Sequence, residues 1–355
     1  MGCYFGLDEE DRVRVAGSMR CTPRENLRYN AAAPTFGIML PRLLRYSEID
    51  LAAWDACVHS AQQVVPYACS WWLQATAGRW DALVEVDEQT GRYLSLWPLP
   101  VKWRPWGQQV YQPPFTQQLG ILGAAWPLLR GVATIAGHYT SFYTQLNDAN
   151  GIFSLQDSAP TRQPSLTWQT RQTYHLPLDQ PYATVRAAYA ADYRRRLRLN
   201  EAAIVPLLVT ATDDAEPVLT LFQQTKGKAA GLRSRHYRIM RRLVTSLRKQ
   251  QVLQVLEVRQ PETDELLAGA LFVHYRTRLV YLFAAASEAG KKVGAPVLLL
   301  DSQIRRYAGT PELILDFEGG MIPSIARFFA NFGAVPVPYA ALSFTQRPWY
   351  LKWMR

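Results

Sequence analysis

The feature that most constrains the fold is the order of elements over residues 252–317. Three largely apolar stretches, 252–258, 266–275 and 279–286, are separated by short polar turns at 261–265 and 276–278. Their length and their β-branched and aromatic content predict strands, and turns this short join strands antiparallel. A helix over 296–307 and a strand over 313–317 follow. A strand joined to the next by a single helix runs parallel to it, through a right-handed crossover. An antiparallel meander that feeds a strand–helix–strand unit predicts a mixed sheet. The fold class is therefore α/β, with mixed central sheets flanked by helices.

The remaining pattern fills in around this unit. Val185, Tyr189, Tyr193 and Leu197 recur every four residues and predict one helix over 184–203, with Arg194, Arg195 and Arg198 pointing away from the apolar face. A strand over 204–210 and helices over 217–228 and 234–250 come next, and a helix over 322–331 and a strand over 335–342 close the chain. In the first half, Ser47 and Asp50 open a helix that puts Ile49, Ala53 and Cys57 on one face. A short helix carries Trp71, Trp72 and Leu73. Trp80–Val86 and 92–101 form a hairpin, and a helix over 124–136 precedes strands over 140–146 and 151–155. Trp71, Trp72, Trp97, Trp103 and Trp106 are expected mainly in the core. Residues 1–38 read as a poorly ordered extension, with Met39 as an alternative start. Residues 157–170 read as a linker, and 174–178 as the strand after it.

Composition excludes several classes. Of 355 residues, 48% are apolar and 19% charged, enough to bury a core and too apolar for a disordered chain. No apolar run reaches the length of a membrane span. Acids stand where a signal peptide needs basic residues, so the expected location is cytoplasmic. Neither the four cysteines nor the five histidines show metal-ligand spacing, and no metal is expected.

The formal charge is +10, and it is concentrated. Residues 184–250 hold 14 basic and 5 acidic side chains, a net of +9. Such a block predicts an anionic partner: phosphate groups, a nucleic acid such as tRNA, or peripheral contact with an anionic membrane. Lys226 and Arg233 flank the break between two helices within it. With Arg194, Arg195 and Arg198 they are the candidate substrate-binding residues.

The order of elements resembles the GNAT acyltransferase fold, in which the two parallel strands splay and the acyl donor lies in the gap. The segment YLFAAASEAGKKVGAPVLLLDSQIRR followed by LILDFEGGMIPSIARFFANFGA is similar to the C-terminal half of the Fem-type peptidyltransferases. YAADYRRRLRLNEA resembles the basic helix that opens their second domain. WDALVEVDEQTGRYLSLWPLPVKWR and PPFTQQLG resemble their first. The resemblance implies tandem GNAT-like domains, 39–170 and 171–355. It also implies transfer of an acyl or aminoacyl group to a small-molecule or lipid-linked amine, with acyl-CoA or aminoacyl-tRNA as donor.

Three features of the residues bear on that chemistry. Gly290, Lys291, Lys292, Gly294 and Ala295 lie between the first parallel strand and its helix, where backbone N–H groups at a helix start can hold phosphate. The last position of the expected phosphate loop is Pro296, and Phe328 and Phe329 occupy the helix where a tyrosine acid is usual. Asp316 and Glu318 end the second parallel strand, on one face by alternation. Two neighbouring carboxyls repel, which holds one protonated near neutral pH; its raised value brings the carboxylate form closer in basicity to the amine whose proton it accepts. The oxyanion is expected to meet a backbone N–H of residues 285–287. The paired acids favour an enzyme. The departures at Pro296 and Phe328 favour a catalytically inactive protein of the same fold that binds an anionic lipid-linked or nucleic-acid ligand.

Overall fold

The computed structural model describes residues 41–123, 128–150, 166–227 and 229–345. The expected extension 1–38, the strand 151–155 and most of the linker lie outside them. The strands are β1 (Arg42–Leu44), β2 (Trp80–Val86), β3 (Tyr93–Arg104), β4 (Gly107–Val110), β5 (Leu122–Gly123), β6 (Ser141–Gln145), β7 (Thr167–Pro177), β8 (Val209–Thr212), β9 (Leu253–Arg259), β10 (Leu266–Tyr275), β11 (Arg278–Ala286), β12 (Ile314–Asp316) and β13 (Val335–Thr345). The helices are α1 (Leu51–Ser60), α2 (Ser70–Thr76), α3 (Leu128–Ile135), α4 (Tyr182–Ala187), α5 (Ala191–Glu201), α6 (Glu216–Phe222), α7 (Ser234–Lys249), α8 (Glu288–Val293), α9 (Ala295–Tyr307) and α10 (Pro323–Ala330).

The strands form one continuous mixed sheet in the order β1-β2-β3-β4-β6-β13-β7-β12-β11-β10-β9-β8, with β5 beside β3. The meander β9–β10–β11 is antiparallel, and β11 and β12 are parallel, as the turn lengths require. β7 sits between β12 and β13, and β13 also pairs with β6, so the two halves share a sheet. The position 170/171 falls inside β7, and residues 167–170, expected as linker, are strand.

Both faces of the meander are covered, which is why its strands are almost uniformly apolar. On one face, Trp54, Trp72, Phe222, Leu243 and Phe283 join α1, α2, α6 and α7 into a single core. On the other, Tyr189, Leu197, Leu300, Phe317 and Phe329 join α5, α9 and α10. A third cluster packs α3 beneath β3 and β6 around Trp97 and Phe142. α7 shows how sequence sets the packing. His236, Tyr237, Met240, Leu243, Val244 and Leu247 follow the helical period and are buried, while its arginines lie on the far side.

Four local expectations change. Asp50, not Ser47, caps α1, accepting from the N–H of Ala52 and Ala53 at 2.8 and 3.1 Å. The single helix over 184–203 is two, because the chain turns at 188–190, where the Ala190 N–H donates to the Asn331 carbonyl at 2.8 Å. The four spaced side chains are all buried nonetheless, since the break preserves their face. The strand over 204–210 is displaced to Val209–Thr212. Trp103 is 77% exposed, at the outer end of β3, rather than in the core.

Candidate active site

β11 and β12 are paired only over Arg278–Val280 and Ile314–Asp316. Beyond Val280, β11 runs on to Ala286 paired with β10 alone, so the two parallel strands part where β12 ends. Asp316 is the last residue of β12, and Glu318 follows two residues later with φ at +50°. That conformation is costly for a residue with a Cβ. It is followed by Gly319 and Gly320. At Gly320 a Cβ would lie 2.7 Å from the Tyr174 ring, and the carbonyl accepts from Gln172 Nε2 at 2.8 Å. The turn that places Glu318 is therefore pinned on both sides.

Strand alternation assembles the rest. On β7, Arg171, Thr173 and His175 share one face. In the register, His175 stands opposite Asp316 on β12, and Arg171 opposite Tyr339 on β13. Asp316 Oδ1 accepts from Thr173 Oγ1 at 2.7 Å and from the Glu318 N–H at 3.0 Å. Its Oδ2 lies 3.4 Å from His175 Nε2. The Arg278 guanidinium crosses the imidazole, 3.3 and 3.2 Å from its two nitrogens, and reaches Asp148 Oδ2 at 3.8 Å. A chain of polar contacts thus links the half-buried Asp148 of the first half to the buried Asp316 of the second.

The two acids are held in opposite states. Burial works against the Asp316 anion, but His175, Arg278 and Thr173 outweigh it and hold the carboxyl well below its usual range. Glu318 is 3% exposed, and among the described residues neither of its oxygens has a hydrogen-bond partner of normal geometry. Burial first, and the Asp316 anion second, push it well above the ordinary carboxyl value, with Tyr67 weakly opposing. The environment therefore pushes the pair in opposite directions, Asp316 toward the anion and Glu318 toward the protonated acid. Tyr339 lies in the same field. Burial raises its hydroxyl against the neighbouring Arg171, and it donates to Gln145 Oε1 at 3.1 Å.

The expected phosphate loop is a short helix, α8. Ser287 caps it, accepting from the Gly290 N–H at 3.0 Å. Gly290 packs so tightly on β10 that a Cβ would come 2.0 Å from the Leu267 carbonyl oxygen. Gly294 takes φ +83° between α8 and α9, with Ala295 opening α9. Lys291 pairs with Glu288 at 2.5 Å, and the Lys292 carbonyl accepts from Arg196 at 3.1 Å. Of the backbone expected to meet an oxyanion, the Ser287 N–H is spent on the Leu267 carbonyl. Alternation then turns the N–H groups of Ala284 and Ala286 toward the open edge.

The basic block divides. Arg194 donates to the Ala187 carbonyl at the end of α4, and Arg195 and Arg196 both bind Asp192, at 2.8 and 2.7 Å. Arg198 is exposed. Arg195, Arg196, Asn200, Gln260 and Lys292 line a cleft of about 410 Å³, which brings the basic helix and the α8 lysine together. Arg233 lines a different cleft. Lys226 lies close enough to α8 to favour the Glu288 anion.

His175, Thr173, Arg278, Arg171 and Tyr339 were not singled out from sequence. The Thr173–His175 alternation would have found two of them, had β7 been recognised at its full length. Among the described residues no group of His, Cys, Asp or Glu is placed to hold a metal, and no helix is long and apolar enough to cross a membrane.

Residues 187–321 match the family described as an acetyltransferase (GNAT) domain. No curated protein matches the chain. The crystal structure of FemX superposes with a TM-score of 0.63 at 12% identity, over 86% of this chain and 97% of that one. A conserved protein of unknown function from Bacteroides thetaiotaomicron superposes with a TM-score of 0.54 at 12% identity, over 87% and 100%. A tandem GNAT protein from the clavulanic acid biosynthesis pathway gives 0.49 at 14% identity, over 87% and 99%. At these identities the likeness is one of fold.

Proposed function

Because this chain carries a GNAT domain on a Fem-type architecture, we propose that it is an N-acyltransferase that moves an acyl or aminoacyl group to an amine. The observation that carries the reading is Glu318, a buried acid whose carboxyl value is raised by burial and by the Asp316 anion and opposed only by the Tyr67 hydroxyl, at the point where β11 and β12 part. An entering amine supplies N–H donors to the carboxyl in addition to the Tyr67 hydroxyl. A raised carboxyl value narrows the gap to an amine, which favours proton transfer.

In the proposed step the amine nitrogen attacks the acyl carbon, and the carbonyl oxygen takes negative charge against the Ala284 and Ala286 N–H groups. Glu318 acts in its ionised form, having lost its own proton to solvent, and the carboxylate accepts the proton that the attacking nitrogen gives up as the N–C bond forms. The tetrahedral adduct collapses, the bond to the donor's sulfur or oxygen breaks, and Glu318 returns the proton to that leaving atom. Asp316 stays anionic and tunes Glu318. Gly290, Lys291, Lys292, Gly294 and Ala295, with Arg194, Arg195 and Arg198, border the side on which a phosphate-bearing donor, acyl-CoA or aminoacyl-tRNA, would lie. The sequence resemblance to the Fem-type peptidyltransferases implies a lipid-linked or small-molecule amine as acceptor.

A second reading has its own support. The Gly290 N–H is used by Ser287 Oγ, and those of Lys291 and Gly294 by backbone carbonyls, so few free N–H groups remain in α8 to cradle a pyrophosphate. That favours a binding protein that keeps the fold for an anionic ligand. Incubating the protein with acyl-CoAs or aminoacyl-tRNAs and a panel of amines, with products read by mass, separates the two. Acylated amine supports transfer. Saturable ligand binding without product from any donor supports the second reading.

A further inference from the structure

The chain between α6 and α7 makes a feature that the transfer site does not use. Residues Gln223–Gly227 widen into a π-turn directly after α6, and α7 starts at Ser234. Such single widened turns recur where a fold makes room for a ligand. Between them lies a cleft of about 560 Å³, lined by Gln223, Gln224, Gly227, Arg233, Ser234 and Tyr237 among others.

Every polar group on its lining is neutral or cationic, and no carboxylate is among the described residues that form it. The start of the sixteen-residue α7 opens on it. There the His236 N–H is spent on the Arg233 carbonyl at 2.8 Å, while the N–H groups of Ser234 and Arg235 have no carbonyl a turn earlier within the helix, and the helix dipole adds positive potential. Arg233 precedes that turn in extended conformation, with φ −108° and ψ 167°. Its own N–H is fixed by His236 Nδ1 at 2.9 Å, and burial together with Arg235 and Arg233 keeps His236 on the neutral side.

A second observation points to a ligand. Tyr237 is 4% exposed, and its hydroxyl has no hydrogen-bond partner among the described residues. It lies against Gly227, where a Cβ would come 2.4 Å from the hydroxyl oxygen, so only glycine leaves it that place. A buried hydroxyl left unpaired is costly unless something supplies a partner.

We propose that this cleft binds the phosphoryl group of a soluble phosphomonoester, held by the Ser234 and Arg235 N–H groups at the start of α7, the Ser234 and Tyr237 hydroxyls and the Arg233 guanidinium. A tetrahedral anion accepts from all of these at once, and the cleft is large enough for the remainder of a small ligand. The residues that line it include none of those around Glu318, and the proposal does not depend on the transferase reading.

Inorganic phosphate is the probe, titrated into the full chain by calorimetry against chloride at matched ionic strength. Saturable binding to the wild type is expected, weakened about tenfold in Arg233→Gln, the scale of one charge-assisted hydrogen bond. Ser234→Pro provides a second variant that keeps the fold. Proline is favoured at the first helical position and the extended Arg233 suits the residue before it, yet the variant loses one N–H and one hydroxyl. It too should bind about tenfold more weakly while melting as the wild type does. No saturable heat with the wild type, or equal affinity in both folded variants, overturns the proposal.

Discussion

The Glu318 backbone N–H donates to Asp316 Oδ1 at 3.0 Å, so the two acids at the end of β12 are locked together while their carboxyl groups take opposite charge states. Asp316 is supplied with donors and cations from β7 and β11. Glu318 is supplied with almost nothing. One intervening residue, and a left-handed backbone at the second acid, place two similar side chains in surroundings that push them toward opposite charge states.

Asp316→Asn removes the negative charge that helps to raise Glu318. Burial remains, so the Glu318 value should fall without reaching the ordinary range. The acidic limb of the pH–rate profile is expected to move to lower pH. A limb at the same pH in the variant would mean that Asp316 does not act on Glu318.

Stability should carry the same signature. Glu318 holds its proton more tightly folded than unfolded. Its contribution is whole below an unfolded glutamate's value, about pH 4.3, and is lost as pH rises through the folded value. Asp316 behaves oppositely: its contribution is present above about pH 3.9 and is lost as pH falls through its depressed folded value. Melting of Glu318→Gln should therefore be less sensitive to rising pH than that of the wild type. Parallel melting curves across the alkaline range would contradict the raised value.

The glycines of α8 and its cap separate packing from ligand binding. Gly290→Ala forces a Cβ onto the Leu267 carbonyl, an overpacking that typically costs about 1–3 kcal/mol. Gly294→Ala adds the left-handed penalty of about 1–2 kcal/mol. Both should lower the melting temperature. Donor affinity per folded molecule should fall with Gly294→Val, whose side chain stands at the cleft that Arg196 borders, if the donor's phosphates lie there. A folded Gly294→Val with full donor affinity would remove α8 from the site.

The meander and the parallel pair were legible because each strand is a bounded apolar run and the connecting turns are short. Asp316 and Glu318 were legible as acids at a strand end, and one raised carboxyl followed from their proximity. β7 was not legible at its full length. Gln169, Arg171 and Thr173 make its face polar, because that face lines the site rather than the core, so its pattern reads as linker. The Asp148–Arg278–His175–Asp316 chain depends on four elements distant in sequence, and no local pattern reports such an arrangement. The break at 188–190 was hidden because the buried spacing of Val185, Tyr189, Tyr193 and Leu197 continues through it.

The arginines of α5 can be sorted by salt dependence. Arg194 is bound to the end of α4, whereas Arg195 and Arg198 face solvent. Replacing Arg195 and Arg198 with Gln should weaken RNA binding and reduce the slope of log affinity against log salt by roughly 0.7 for each phosphate no longer neutralised. An unchanged slope would make them a solvated face only.

The central claim rests on Glu318, and Glu318→Gln tests it most directly. The variant keeps shape and cannot accept a proton. With melting temperature and turnover measured on one preparation, turnover per folded molecule should fall by ~10²–10⁴, with substrate affinity little changed and the melting temperature not reduced. Full turnover in the folded variant would contradict the account and leave Glu318 a structural acid.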